Sequence, residues 1–424
     1  MACSAATIRS HAVLLICLSL PGTSLSKAAG SFQDPEDLLK VIVSVPVGDR
    51  QKALALLDEH KDLVNQAFCR LLLSEAEKAY NTRDAGRSLF LLEILEAASA
   101  RTDNVVFRAT AYLRMGKVYS ETRQPQKALA AYENSIRLTS EPALQDQRPN
   151  VKRVLAMALY GLARVRFETS AFQSAIESYK RSLKVFEELD SKLDCIYILN
   201  DLGALYLATG DYKTASDFSH RSLSLTEALS PGKELQIPIR YSKAVAWSNL
   251  GYISFSQGSY GSAIDYLEKS LALFRELVAA GQPYLTAVAD RLEDLGQVFR
   301  ALGNYSKALH YYQRALMTVE GPDHPDTRQR VLNSVGILYT DQGDYAKAGE
   351  FLETSLKLAT QLENKTAVAT VLINVGLTDA DLTSTAASTL NAGIVGSTKG
   401  KLAAGWSTKL ASYTSMVPLA KSAA

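Results

Sequence analysis

Cysteine, tryptophan and histidine are all scarce: the 424 residues hold 4 Cys, 2 Trp and 5 His. Four Cys over that length exclude a disulfide-stapled scaffold. With 24 Gly and 12 Pro the chain is neither collagen-like nor low in complexity. Neither sign of charge prevails, with 46 Lys+Arg against 44 Asp+Glu. A net charge of +2 gives no electrostatic footprint for nucleic acid, and no nucleic-acid partner is expected. No apolar run approaches the ~20 residues that crossing a bilayer requires, so no membrane span is expected.

Chemistry-bearing patterns are equally thin. His11, His60, His220, His310 and His324 are scattered, with no His-x-x-x-His pair. There is no Gly-rich phosphate loop ending in Lys-Ser/Thr and no Gly-x-Ser-x-Gly elbow. His324 lies between two Asp in GPDHPDT, Gly321 to Thr327. Two Pro make that loop read as a rigid exposed turn rather than a metal site. No catalytic residue, cofactor or metal is assigned, and the chain reads as a non-enzyme.

Residues 1–28 carry no acid: Arg9 and His11 precede the apolar run Ala12 to Leu20, Pro21-Gly22 breaks it, and Ser26-Lys27-Ala28 follows. That order is the pattern of a secretory signal peptide, which predicts a secreted or periplasmic protein. The alternative is an uncleaved leader on a cytoplasmic protein. Cys69 and Cys195 remain after cleavage, each in an apolar helical context, and are expected as buried free thiols. Asn304-Tyr-Ser306 and Asn364-Lys-Thr366 are glycosylation sequons.

Self-similarity is what the chain does have. Four segments align without gaps: DLGALYLATGDYKTASDF from Asp201, NLGYISFSQGSYGSAIDY from Asn249, DLGQVFRALGNYSKALHY from Asp294 and SVGILYTDQGDYAKAGEF from Ser334. Each opens on an apolar residue followed by Gly (Gly203, Gly251, Gly296, Gly336). Each continues to a Gly-x-Tyr and then an Ala (Ala215, Ala263, Ala308, Ala348). Two earlier copies lack the turn Gly. One runs through Gly116, Tyr119, Ala128 and Tyr132, the other through Ala163, Phe172, Ala175 and Tyr179. A weaker copy contains Ala76 and Tyr80, and a half copy ends at Gly376. Apolar residues recur at three and four, the Gly of Gly-x-Tyr stops a helix, and small residues allow close approach. The unit is a helix–turn–helix that buries its apolar face only against neighbours.

This pattern resembles the tetratricopeptide repeat. Trp247, Leu250-Gly251, Tyr260 and Ala263 carry the resemblance in one copy, and Leu292, Leu295-Gly296, Phe299, Ala308, Tyr312 and Ala315 in the next. The opening small residues step by 40, 47, 40, 48, 45, 40 and 40, longer than the family's ~34. In this the chain is similar to kinesin light chain arrays. The resemblance implies an all-α fold, a right-handed α-solenoid of antiparallel helix pairs. The expected organisation is a helical cap and degenerate repeat over 29–105, then six repeats and a partial seventh over 106–376. Residues 377–424 hold no Glu, Arg, His or Cys. The helical periodicity of the array does not continue there, and a flexible tail is expected.

Function follows from the resemblance as an expectation: a scaffold that binds a protein or peptide in a concave groove lined by first helices. First-helix residues outside the packing positions are Tyr160, Arg164, Phe167, Tyr197, Asn200, Tyr252, Phe255, Asn333 and Thr340. Aromatics and Arg are common interface anchors, and amides facing a groove can bond peptide backbone. For the aromatics the favoured alternative is packing between neighbouring repeats. Residues 33–75 resemble the leading segment of bacterial arrays that precede a caspase-like (CHAT) peptidase domain, so the chain could be the repeat half or a relic of one. Such a peptidase needs a His and a Cys after the array, whereas the last of each here are His324 and Cys195. A third reading is self-association through the open C-terminal repeat, around Val371, Leu372 and Val375.

Overall fold

The computed structural model describes residues 34–140, 149–229, 232 and 236–391. The leader expected at 1–28 lies outside them, as do residues 392–424. Every regular element among the described residues is an α-helix. They are α1 Pro35–Ser44, α2 Arg50–Glu59, α3 Gln66–Asn81, α4 Ala85–Arg101, α5 Val105–Glu121, α6 Pro125–Thr139, α7 Pro149–Glu168 and α8 Phe172–Glu188. There follow α9 Lys192–Ala208, α10 Tyr212–Glu227, α11 Gln236–Ser256, α12 Tyr260–Ala279, α13 Leu285–Ala301, α14 Tyr305–Thr318, α15 Pro325–Asp341, α16 Tyr345–Gln361 and α17 Lys365–Asn391. None of the described helices is long and apolar enough to cross a membrane.

The joints between helices share one construction. The residue seven positions after each opening small residue has left-handed backbone: Gly210, Gly258, Gly303 and Gly343, with φ of 81°, 74°, 72° and 73°. Glycine enters that region without a Cβ penalty and closes the preceding helix. In three of these joints the next residue caps the following helix: Asp211, Asn304 and Asp344 accept the backbone N–H of Thr214, Lys307 and Lys347 at 3.1, 3.1 and 3.2 Å. The same turn forms where the sequence has no glycine. Arg83, Arg123 and Ser170 hold φ of 63°, 57° and 61° at the equivalent place. The missing turn Gly in the earlier copies therefore marks a less favourable residue at an unchanged joint.

Packing within each pair explains the opening glycines. A methyl group on Gly296 would lie 2.4 Å from the ring of Tyr312, and one on Gly336 would lie 2.6 Å from Leu352. Second-helix side chains thus press on bare first-helix backbone. Tyr132 does this twice, against Gly116 and against Gly161 of α7. The Ala residues that follow (Ala128, Ala175, Ala215, Ala263, Ala308 and Ala348) are all fully buried.

The chain divides into two compact units, the first reaching Ser178 and the second starting at Tyr179. The first unit holds α1 to α7 and a core running from Leu38 and Ile42 through Phe68, Ile94 and Leu95 to Met115. A further cluster there joins Ala109, Tyr132, Ala158 and Leu162. The second unit centres on Leu267, Phe274, Leu292, Leu295, Tyr312 and Val335. It ends on a smaller cluster of Leu352, Leu356, Val371 and Val375 beneath α17. Helix α17 runs to Asn391, so the helical register passes the expected boundary at 376 by fifteen residues. The start of a flexible tail at 377 is corrected accordingly. Ala, Ser and Thr supply most of those fifteen residues; they lower the apolar contrast without breaking a helix, since no Gly or Pro intervenes. Cys69 and Cys195 are free and buried, and burial pushes each thiol up to about 11.

Candidate functional site

In the second unit the first helices α9, α11, α13, α15 and α17 present corresponding residues at fixed register. The position three residues before each opening glycine holds Asn200, Ser248, Glu293, Asn333 and Ile373. The four polar ones are buried, and each joins its helix to another first helix.

Asn200 Nδ2 donates to the Ser242 carbonyl at 3.0 Å, and Asn249 Nδ2 returns a bond to the Asn200 carbonyl at 2.9 Å. Ser248 Oγ accepts from Arg291 Nη1 at 2.5 Å. Arg291 also donates to the Tyr252 hydroxyl and, at 2.8 Å, to Asp294. The Tyr252 hydroxyl in turn donates to Asp294 at 2.8 Å. Burial, with the Asp294 charge adding to it, holds that phenol protonated well above its ordinary range. Glu293, 2% exposed, accepts from Arg330 Nε and Ser334 Oγ, each at 2.7 Å. Burial works to lower Arg330, but the carboxylates of Glu293 and Asp290 outweigh it and raise the guanidinium further. Asn374 Nδ2 donates to Asn333 Oδ1 at 2.9 Å, and Thr340 bonds Thr378 at 2.8 Å. The result is a buried polar seam running from α9 to α17, in which nearly every member finds a partner.

These placements revise the expected groove. Asn200 and Asn333, 3% and 8% exposed, bond neighbouring helices through Nδ2 and Oδ1 respectively, Asn200 Oδ1 being buried without a hydrogen-bond partner among the described residues, and neither has an open face for a partner's backbone. The Tyr252 hydroxyl belongs to the seam. Phe255 is half-buried with its ring 5.9 Å from Tyr260. Tyr197 is half-buried as well. In the first unit, Tyr160 and Phe167 are half-buried on α7, Phe167 lies 5.9 Å from Phe172, and the exposed Arg164 pairs with Glu168 at 3.8 Å. Sequence reasoning missed Arg291, Asp294, Glu293 and Arg330. Each is a charge in a first helix, and the sequence does not show which helix it faces. It also missed Gln297 and Ile337, half-exposed at the register of Tyr252.

The remaining His lie apart. His60 ends α2, His220 bonds Ser216 within α10, His310 lies against Tyr311, and His324 precedes α15. Among the described residues no three His, Cys, Asp or Glu are placed to hold a metal ion together.

Comparison with known proteins accords with this architecture. One tetratricopeptide repeat model matches residues 154–228 and 242–320, and another matches 113–190 and 293–362. Together they cover more than half of the chain. The chain belongs to the tetratricopeptide repeat family. The Tonsoku-like protein of Bos taurus is 23% identical over 241 residues, 54% of this chain and 17% of that protein. The chain thus spans less than a fifth of that relative's length. Among solved structures, the apo form of RapI has a TM-score of 0.53 at 13% identity, covering 70% of this chain and 98% of that one. A Rap protein complexed with competence and sporulation factor has a TM-score of 0.50 at 14% identity, covering 82% and 98%. At such identities the likeness is one of fold.

Proposed function

We propose that the chain is a non-enzymatic interaction scaffold whose second unit binds an extended segment of a protein partner on its first-helix face. The observation that carries this reading is what the first helices hold. They share the polar seam, which fixes the spacing of successive first helices. On the same first helices Tyr197, the ring of Tyr252, Phe255, Gln297 and Ile337 are each only partly buried. Aromatic and aliphatic anchors beside an amide suit a peptide whose side chains alternate with its backbone groups. The Rap protein in complex with competence and sporulation factor supports the reading, as an array of the same fold that holds a ligand.

The test is selection from a random-peptide display library on the full chain, followed by calorimetry of the enriched sequences. Tyr197→Ala and Ile337→Glu are expected to weaken binding about tenfold each, or about 1.4 kcal/mol, with little change in melting temperature. Failure to enrich any sequence, or binding indifferent to both substitutions, would sink the proposal.

A further inference from the structure

The last helix carries an empty socket. A methyl group on Gly116, Gly203, Gly251, Gly296 or Gly336 would strike a second-helix side chain within 2.8 Å. Gly376 has the same register, and among the described residues a methyl group there meets nothing within 4 Å. The vacancy extends along α17. Ala369 is exposed where its counterparts Ala244 and Ala289 are fully buried. Ile373 is 63% exposed, at the register of the buried Ser248, Glu293 and Asn333.

We propose that residues Leu402–Val417 of this chain fold back and cover the open face of α17 as the second helix of its repeat. Three observations select this occupant. Leu402, Trp406, Leu410, Tyr413 and Val417 follow one another at steps of four, four, three and four, which places all five on one helical face. The connection is long enough: α17 ends at Asn391, fifteen residues past Gly376, or about 22 Å of helix. The ten residues 392–401 reach about 33 Å when extended. The charges are complementary. From 392 onward the chain has Lys399, Lys401, Lys409 and Lys421 and no acid. The repeat that would receive them, 345–391, carries Glu350, Glu353, Glu363, Asp379 and Asp381 against Lys347, Lys357 and Lys365. A segment tethered beside its site also acts at high effective concentration.

Trp406 is a built-in reporter, because the only other tryptophan is Trp247. In the full chain carrying Trp247→Phe, acrylamide quenching of Trp406 should fall well below that of a free 392–424 peptide and stay constant on dilution. Adding Ile373→Glu, at a side chain open to solvent in the described structure, should shift the docking equilibrium about tenfold toward release and raise quenching toward the peptide value. Quenching equal to the free peptide in the Trp247→Phe chain overturns the proposal. So does protection that Ile373→Glu leaves unchanged, and so does protection lost on dilution, which would assign the face to a second copy. Should Trp247→Phe fail to fold, hydrogen exchange decides with the natural chain. The amides of Ile373 to Leu377 should exchange at least about tenfold faster in Trp406→Ser than in the unaltered protein. Equal rates refute the docking.

Discussion

Gly296 and Gly376 stand at the same place in the repeat and have opposite surroundings. At Gly296 the ring of Tyr312 occupies the space that any side chain would need, and at Gly376 nothing described approaches. The difference shows what the glycine is for. It lowers the helix propensity of its own segment in exchange for close approach by a neighbour, so its value depends on the helix that follows. The same contrast holds one turn earlier. Glu293 is enclosed by Arg330 and Ser334, whereas Ile373 faces outward.

That comparison can be broken first at its closed side. Arg291→Met should destabilise the second unit by about 3–5 kcal/mol, because Asp294 would be left buried without its counter-charge. Thermal unfolding followed by circular dichroism measures this, and Arg291→Met with Asp294→Leu should recover much of the loss. Gly296→Ala comes next, with an expected cost of about 1–3 kcal/mol from overpacking against Tyr312. Gly376→Ala sharpens the contrast. With residues 402–417 docked over it as proposed, it should cost stability as at Gly296, and in a chain lacking 392–424 it should change stability by no more than about 1 kcal/mol in either direction, read from hydrogen exchange in α17. A cost matching that at Gly296 would mean the two sockets are equally filled. Smallest of all, Arg123→Gly and Ser170→Gly should each stabilise the first unit by a few tenths to about 1 kcal/mol, since each relieves a left-handed residue at a joint.

Much of the fold was legible in the sequence, and the reason is locality. The contact between Gly296 and Tyr312 spans sixteen residues, so the pattern that encodes it repeats within every unit. The polar seam was not legible. Its bonds join residues about forty apart, as in Asn200 to Ser242 or Glu293 to Ser334. A lone Asn or Glu at first-helix register looks the same whether it faces a partner or a neighbouring helix. Asn333 has the sequence signature of a groove residue for that reason, whereas in the structure Asn374 donates to it. The extent of α17 was concealed differently. Beyond Gly376 the chain is rich in Ala, Ser and Thr, which allow a helix without marking one face of it.

The empty face of α17 also bears on how the protein is made. A ribosome adds about 5–20 residues per second, so the ~40-residue unit takes roughly 2–8 seconds to emerge. Each first helix leaves the exit tunnel before the second helix that fills its glycine. For those seconds every repeat in turn is in the condition that the described part of α17 displays, with one apolar side exposed and its glycine unmet. The Ser, Asn and Glu of the seam give that nascent side a polar stripe until the next repeat arrives. Ile373, the one apolar residue at that register in the second unit, has no such protection.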